Sequence, residues 1–161
     1  MPFKTISFPK IIVSILAVSI IAVFVTRAVT MAKHKSFWMD ETFAINTVTN
    51  MSFSQMIFRG LPGQGSPAPL DYIVLKLASL SKKISLLPET IHYRLHTIFF
   101  TVFAGLVSFL FLFRRIKNFR QHPWLFCMQA VFFLAALVSF LFTFYNFYYA
   151  IETRPYALWN A

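Results

Sequence analysis

The chain has 161 residues, of which 58% are apolar, 19% are aromatic and only 12% are charged, and its net charge is +10. Soluble domains carry roughly 25% charged residues, so this composition excludes an ordinary soluble domain and is typical of an integral membrane protein. The basic residues flank apolar runs instead of alternating with aromatics in a polar stretch, and we expect no nucleic-acid partner. The single cysteine, Cys127, excludes an internal disulfide.

Three apolar segments without charged residues predict membrane-spanning helices: residues 11–26, 95–113 and 124–151. The first is slightly short, but Lys10 and Arg27 at its ends can snorkel and lengthen the span. A cleaved signal peptide is the alternative interpretation of this segment; the poor cleavage motif favours an uncleaved helix. We therefore predict an all-α integral membrane fold with three transmembrane helices.

Basic residues predict the orientation. Lys4 and Lys10 precede the first span, and a basic cluster fills the short connection between the second and third spans: Arg114, Arg115, Lys117 and Arg120. The positive-inside rule places both groups in the cytoplasm. The loop of residues 27–94, and everything after residue 151, is then expected on the extracytoplasmic face of the cell membrane.

The outer loop is expected to hold short juxtamembrane helices. Asp40 is a candidate helix cap with Glu41 in the first turn, where its charge suits the helix dipole. Ser52-Phe53-Ser54-Gln55 has the pattern of a capping box and predicts a second short helix, ended by Gly60. Residues 60–69 are rich in Gly and Pro and predict a loop.

Residues 70–87 predict an amphipathic helix that lies on the membrane surface. Apolar residues recur at helical spacing: Leu70, Ile73, Val74, Leu77, Leu80, Ile84 and Leu87. Lys76, Ser79 and Lys83 fall off that stripe. Pro88 and Glu89 then suit the first turn of a helix that leads into the second span.

The C-terminal part combines an interfacial aromatic belt with the expected start of a fourth helix. The belt consists of Tyr145, Asn146, Tyr148 and Tyr149 at the end of the third span. Arg154 before Pro155 disfavours helix at that point, and Pro155 can open the next helix.

The scarce carboxylates are the strongest functional signal. Three of the five acidic residues fall at the outer ends of apolar segments: Asp40, Glu41 and Glu152. An unpaired charge beside a bilayer is costly, which favours a functional site. Helix capping by the first two, and a local ion pair of Glu152 with Arg154, are the alternatives. Arg94 is either a site residue or a snorkelling flank of the second span.

A metal site is not predicted. His92 and His96 lie four residues apart on one helical face, a spacing that can hold a metal ion. The chain offers no strongly placed third ligand, so we expect no cofactor, although the use of a divalent metal stays open.

Four segments, in this order, resemble motifs of the GT-C glycosyltransferases, which include the protein O-mannosyltransferases, the lipid A aminoarabinose transferases and the rhizobial lipopolysaccharide-core transferases. Trp-Met-Asp-Glu at 38–41 resembles the Asp-Glu signature of their first outer loop. Pro-Ala-Pro-Leu-Asp-Tyr at 67–72 resembles a His-Pro-Pro-Leu-Tyr-Tyr segment. Tyr-Arg-Leu at 93–95 resembles an Arg-Leu-Pro motif, and Glu-Thr-Arg-Pro-Tyr-Ala-Leu at 152–158 resembles Glu-Ala-Arg-Pro-Tyr-Ala-Leu.

The resemblance implies transfer of a sugar from a polyprenyl-phosphate-linked donor to a lipid, glycan or protein acceptor on the extracytoplasmic face. Asp40 and Glu41 match the catalytic signature, and Asp40 would be the general base. Arg154 and Arg94 are candidates to neutralise the donor phosphate, and Glu152 would orient Arg154.

The chain also departs from the family pattern. Pro67 and Ala68 stand where His and Pro are usual. Family members are several hundred residues long and have many more spans, so residues 1–161 correspond to a single N-terminal part of such a membrane domain, which as a fragment is expected to lack activity of its own. The alternative interpretation is a small non-enzymatic membrane protein or subunit that uses the same carboxylates in caps and ion pairs.

Overall fold

The computed structural model of the chain describes residues 8–59, 70–116 and 121–152, and every regular element in these ranges is helical. The elements are α1 (Phe8–His34), α2 (Met39–Asn50), α3 (Phe53–Arg59), α4 (Leu70–Ser81), a 3-10 turn (Lys82–Ile84), α5 (Glu89–His92), α6 (Leu95–Phe113), α7 (Pro123–Phe142) and α8 (Phe144–Ala150). The predicted loop at 60–69 and the predicted fourth helix from Pro155 lie outside the described residues.

Three helices are long and apolar enough to cross a membrane: Phe8–His34, Glu89–Phe113 and Pro123–Phe142. The predicted all-helical fold is therefore confirmed for the described residues, together with three helices of membrane-spanning length. The predicted second span, 95–113, has the same limits as α6. The predicted first span, 11–26, is too short, because no Gly or Pro after Arg27 interrupts α1 before it ends at His34.

The predicted third span, 124–151, is wrong at its C-terminal end because the helix breaks at Thr143. This residue has φ −56° and ψ 136°, so α7 stops at Phe142 and α8 starts afresh. The Asn146 side chain donates a hydrogen bond of 2.7 Å to the carbonyl of Phe140, which the break leaves without its helical partner. The aromatic belt therefore lies on a separate short helix.

Small residues let the three long helices pack closely, as is usual between membrane helices. The buried face of α1 carries Val13, Ala17, Phe24, Ala28 and Ala32. A Cβ atom on Gly105 of α6 would lie only 3.3 Å from the Leu141 side chain of α7. Helices α6 and α7 can therefore approach each other closely at Gly105, which has no side chain.

Phe24 connects the long helices to α8. Its ring contacts Phe142 and Phe147 edge-on, with ring centroids 5.8 Å and 5.7 Å away. Aromatic pairs in this geometry are favourable beyond the apolar area that they bury. The contact fixes α8 against α1 despite the break that precedes it.

A second, smaller core holds the segment between α1 and α6. It consists of Ala44, Ile45, Val48, Met56, Tyr72, Leu75 and Tyr93. Lys76, which lies off the apolar stripe, is buried, and its Nζ donates to the carbonyls of Val48 at 2.6 Å and Thr49 at 3.3 Å. Lys76 thereby binds the C-terminal end of α2, where carbonyls lack helical partners.

The predicted helix over 70–87 is shorter than expected, because α4 ends at Ser81 and a 3-10 turn follows. Ile73 and Val74 of its apolar stripe are half-buried, and the other five residues are exposed: Leu70, Leu77, Leu80, Ile84 and Leu87. An apolar stripe that the protein leaves largely uncovered is consistent with the predicted place at the membrane surface.

Two sequence signals for helix starts are confirmed. Ser52 and Gln55 form the predicted capping box, with Ser52 N–H donating to Gln55 Oε1 at 2.8 Å and Gln55 N–H donating to Ser52 Oγ at 3.2 Å. Helix α5 begins at Glu89, directly after Pro88.

Contacts at both ends of the bundle show that α6 runs opposite to α1. Lys10 Nζ, near the start of α1, donates to the carbonyl of Ile116 after α6 at 3.3 Å. At the opposite end, Arg94 before α6 contacts Ala32 near the end of α1. We call this second end, which holds the end of α1, the start of α6 and the end of α8, the site end.

Candidate functional site

Four of the five predicted site residues lie at the site end. Asp40 and Glu41 occupy the first turn of α2. Arg94 directly precedes α6, and Glu152 follows α8. The fifth residue, Arg154, lies outside the described residues, and its pairing with Glu152 stays a prediction.

Arg94 and Glu41 form a sealed ion pair. Arg94 Nη2 donates to Glu41 Oε2 at 2.8 Å, and Arg94 Nε donates to Glu41 Oε1 at 3.1 Å. Both side chains are 0% exposed. Two parallel bonds between a guanidinium and a carboxylate are stronger and more directional than a single contact. The alternative that Arg94 snorkels toward lipid headgroups is wrong.

The remaining N–H groups of Arg94 hold the chain that leaves α1. Nη1 donates to the carbonyls of Ala32 at 2.9 Å and Lys35 at 2.7 Å, and Nη2 donates to the carbonyl of Ser36 at 3.0 Å. A guanidinium has five N–H donors, so this side chain is fully used. The aromatic ring of Phe37 lies 4.9 Å from the guanidinium carbon and covers it.

Glu41 also sets the start of α2. Its Oε2 accepts the backbone N–H of Trp38 at 3.0 Å, and Trp38 is the residue that precedes the helix. The prediction that Asp40 caps this helix is therefore wrong. Asp40 lies inside the first turn. It is exposed, whereas its neighbour Glu41 is completely buried. The adjacent carboxylates thus occupy opposite environments.

Sequence reasoning missed Lys35, which is a partner of Glu152. Lys35 Nζ donates to Glu152 Oε1 at 2.8 Å. The ammonium also lies 4.1 Å from the ring centroid of Tyr148 and 5.3 Å from that of Trp38. Because 117 positions separate Lys35 from Glu152, no local spacing could have indicated the pair.

Thr97 links the two ion pairs. Its hydroxyl lies 2.7 Å from the carbonyl oxygen of Arg94 and 2.8 Å from that of Ala150, and the side chain is buried. Ala150 ends α8, two residues before Glu152. The hydroxyl therefore connects the start of α6 to the segment that carries the second carboxylate.

Of the two histidines whose spacing can hold a metal ion, His92 has other partners. His92 Nε2 lies 2.7 Å from the carbonyl oxygen of Ala78, and His92 Nδ1 lies 3.0 Å from Ser85 Oγ. The neutral tautomer with its proton on Nε2 satisfies both contacts. Within residues 8–59, 70–116 and 121–152 no group of three His, Cys, Asp or Glu side chains could hold a metal ion.

The site end thus combines an exposed carboxylate, a buried arginine–glutamate pair and a lysine–glutamate pair flanked by aromatic rings. Such a set can accept a proton at Asp40 and offer positive charge at Lys35. Comparisons of the chain with protein-family models, with curated proteins and with solved structures found no match.

Proposed function

We propose that this chain is the N-terminal part of an integral membrane glycosyltransferase. It would transfer a sugar from a polyprenyl-phosphate-linked donor to a lipid, glycan or protein acceptor at the extracytoplasmic face. The four motifs of the sequence suggest this reaction class. The geometry that best supports it is the contrast between Asp40 and Glu41.

Neighbouring carboxylates in different environments can take different roles. Glu41 is 0% exposed and its two oxygens accept hydrogen bonds from Arg94, so protonating it would break a buried ion pair. Asp40 lies one residue earlier on an exposed position of the same turn. We assign Asp40 as the general base and Glu41 as a positioning residue that fixes the start of α2.

In the proposed reaction, an acceptor hydroxyl oxygen attacks the anomeric carbon of the donor sugar. Asp40 takes the hydroxyl proton as the new carbon–oxygen bond forms. The bond between the anomeric carbon and the phosphate oxygen breaks, and its electron pair leaves with the polyprenyl phosphate. A positioned general base contributes about 10²–10⁴ in rate.

The proposed orientation has the site end outside the cytoplasm. Lys10, Arg114 and Arg115 all lie toward the opposite end of the bundle, where α1 begins and α6 ends. Positively charged short loops favour the cytoplasmic side.

A non-enzymatic membrane subunit is the second candidate. The saturated hydrogen bonding of Arg94 favours it, since such a residue also suits a protein in which the charges only stabilise packing. In that case Asp40 would have no chemical role.

The test compares Asp40→Asn with Glu89→Gln in the membrane enzyme that contains this segment. Glu89 is a suitable control because it is also exposed, lies in the first turn of a short helix and belongs to the same loop. Transfer is measured in right-side-out vesicles with radiolabelled polyprenyl-phosphate hexoses and an acceptor too polar to cross the membrane.

We expect Asp40→Asn to lower the transfer rate about 10²–10⁴-fold, because an amide cannot accept the hydroxyl proton. Glu89→Gln should keep the wild-type rate. Wild-type transfer by the Asp40→Asn protein would overturn the catalytic assignment. Absence of transfer by the wild-type protein as well as by both variants would favour the non-enzymatic subunit.

A further inference from the structure

The two basic residues bound to carboxylates at the site end differ in what they can still bind. Arg94 uses all five N–H groups on groups of the protein and is 0% exposed. Reaching a phosphate would require it to release the end of α1. The role in donor-phosphate binding that the sequence suggested for Arg94 therefore does not fit its surroundings.

Lys35 is held differently. One ammonium proton goes to Glu152, and the rings of Tyr148 and Trp38 lie at 4.1 Å and 5.3 Å. An ammonium has three N–H donors, and contacts with ring faces are weaker than hydrogen bonds to oxygen. Lys35 thus keeps hydrogen-bonding capacity that Arg94 lacks.

Exposure shows which member of the pair a ligand would meet. The Lys35 side chain is 18% exposed and the Glu152 side chain is 2% exposed. The carboxylate therefore lies on the protein side, and the ammonium is the accessible charge.

We propose that Lys35 is the phosphate-binding residue of the site end, and that its ligand is the phosphomonoester group of a lipid. This assignment rests on the proposed function for its place in a reaction, because the phosphate would be the leaving group whose charge Lys35 stabilises. Glu152, Trp38 and Tyr148 would act as positioning residues that keep the ammonium in one place. Binding itself does not depend on whether Asp40 catalyses transfer.

The site end offers a matched control. Lys33 lies two residues before Lys35, carries the same charge and is exposed in the last turn of α1. If binding reflects only the positive charge of this region, Lys33→Gln and Lys35→Gln should weaken it equally. If Lys35 makes the contact, only its substitution matters.

The experiment uses the full chain in nanodiscs of zwitterionic lipid, with empty nanodiscs to correct for partitioning. Decyl phosphate, inorganic phosphate and decanol are titrated, and dissociation constants are measured by phosphorus NMR or calorimetry. We expect Lys35→Gln to raise the Kd for decyl phosphate about 10-fold or more, as is typical when a charge-assisted hydrogen bond is lost. Lys35→Arg should stay within about threefold, and Lys33→Gln should match the wild type.

Comparison of the three titrated compounds also identifies the source of the phosphate. Tighter binding of decyl phosphate than of inorganic phosphate supports a lipid headgroup, and equal Kd values would overturn that part of the proposal. Binding of decanol as tight as that of decyl phosphate would overturn the phosphate contact, as would a wild-type chain that binds neither phosphate.

A second variant is needed to distinguish loss of binding from a folding defect, because Lys35→Gln leaves Glu152 buried without its lysine. The double variant Lys35→Gln, Glu152→Gln removes both charges together and should fold, yet it should still not bind decyl phosphate. Wild-type Kd values in the double variant would overturn the proposal. The Glu89→Gln protein should bind decyl phosphate with the wild-type Kd. Because binding is measured without an acceptor, it reports on Lys35 whether or not transfer occurs.

Discussion

The two ion pairs of the site end use the same chemistry with different burial. Arg94 and Glu41 are both 0% exposed, and Arg94 donates two hydrogen bonds to Glu41, whereas Lys35 donates one to Glu152 and stays 18% exposed. A sealed pair must satisfy every donor inside the protein, because an unpaired buried charge is very unfavourable. An open pair tolerates unused donors. The comparison suggests that the first pair builds the site and that the second is available to ligands.

The sealed pair should show the largest effect on stability. Arg94→Gln leaves the Glu41 carboxylate buried without its partner, and we expect the free energy of unfolding to fall by about 3–5 kcal/mol. Unfolding would be followed by thermal denaturation in detergent micelles.

The double variant Arg94→Met, Glu41→Met tests the reason for that loss. Because no lone charge then remains, it should be more stable than Arg94→Gln. A melting temperature of Arg94→Gln equal to that of the wild type would show that the pair is not essential to the fold.

The open pair should show an intermediate effect. Glu152→Gln keeps the shape of the side chain but removes the charge that faces Lys35, and we expect a loss of about 1–3 kcal/mol. The partly exposed lysine can turn toward water, which limits the cost. A loss larger than that of Arg94→Gln in the same melting experiment would reverse the proposed ranking of the two pairs.

The link between the pairs should show the smallest effect. Thr97→Val removes the hydroxyl that reaches the carbonyls of Arg94 and Ala150, and we expect about 1 kcal/mol. Thr101→Val is the matched control, because the Thr101 hydroxyl is also buried but bonds only to Thr97 within its own helix.

If Thr97 couples the pairs, Thr97→Val and Glu152→Gln should be non-additive in a double-mutant cycle, and Thr101→Val with Glu152→Gln should be additive. Additivity in both cycles would mean that the two pairs are independent.

Local signals predicted the elements whose causes are local. Residues 95–113 form one uninterrupted apolar run, and its predicted limits agree with those of α6 because Arg94 and Arg114 flank it. The capping box at Ser52 and the helix start after Pro88 depend on neighbours within a few residues. These features need no knowledge of the rest of the fold.

Other features depend on contacts between distant parts of the chain. The break at Thr143 follows no Gly or Pro, and it is compensated by Asn146 and by the packing of Phe147 on Phe24. The contact of Lys76 with the end of α2 could not be predicted, because only the tertiary structure brings the two together. The sequence likewise placed the carboxylates of Glu41 and Glu152 at one end but could not indicate that Arg94 and Lys35 are their partners.

The hydrogen bonds from Arg94 to the end of α1 have a consequence for biogenesis. The carbonyls of Ala32 and Ser36 accept hydrogen bonds from a side chain that lies 62 and 58 positions later in the chain. At ribosomal speeds of about 5–20 residues per second, that residue is synthesised roughly 3–12 s afterwards. The segment that follows α1 therefore cannot take its final structure until the start of α6 has been synthesised. The time at which the site end assembles depends on both helices and not on α1 alone.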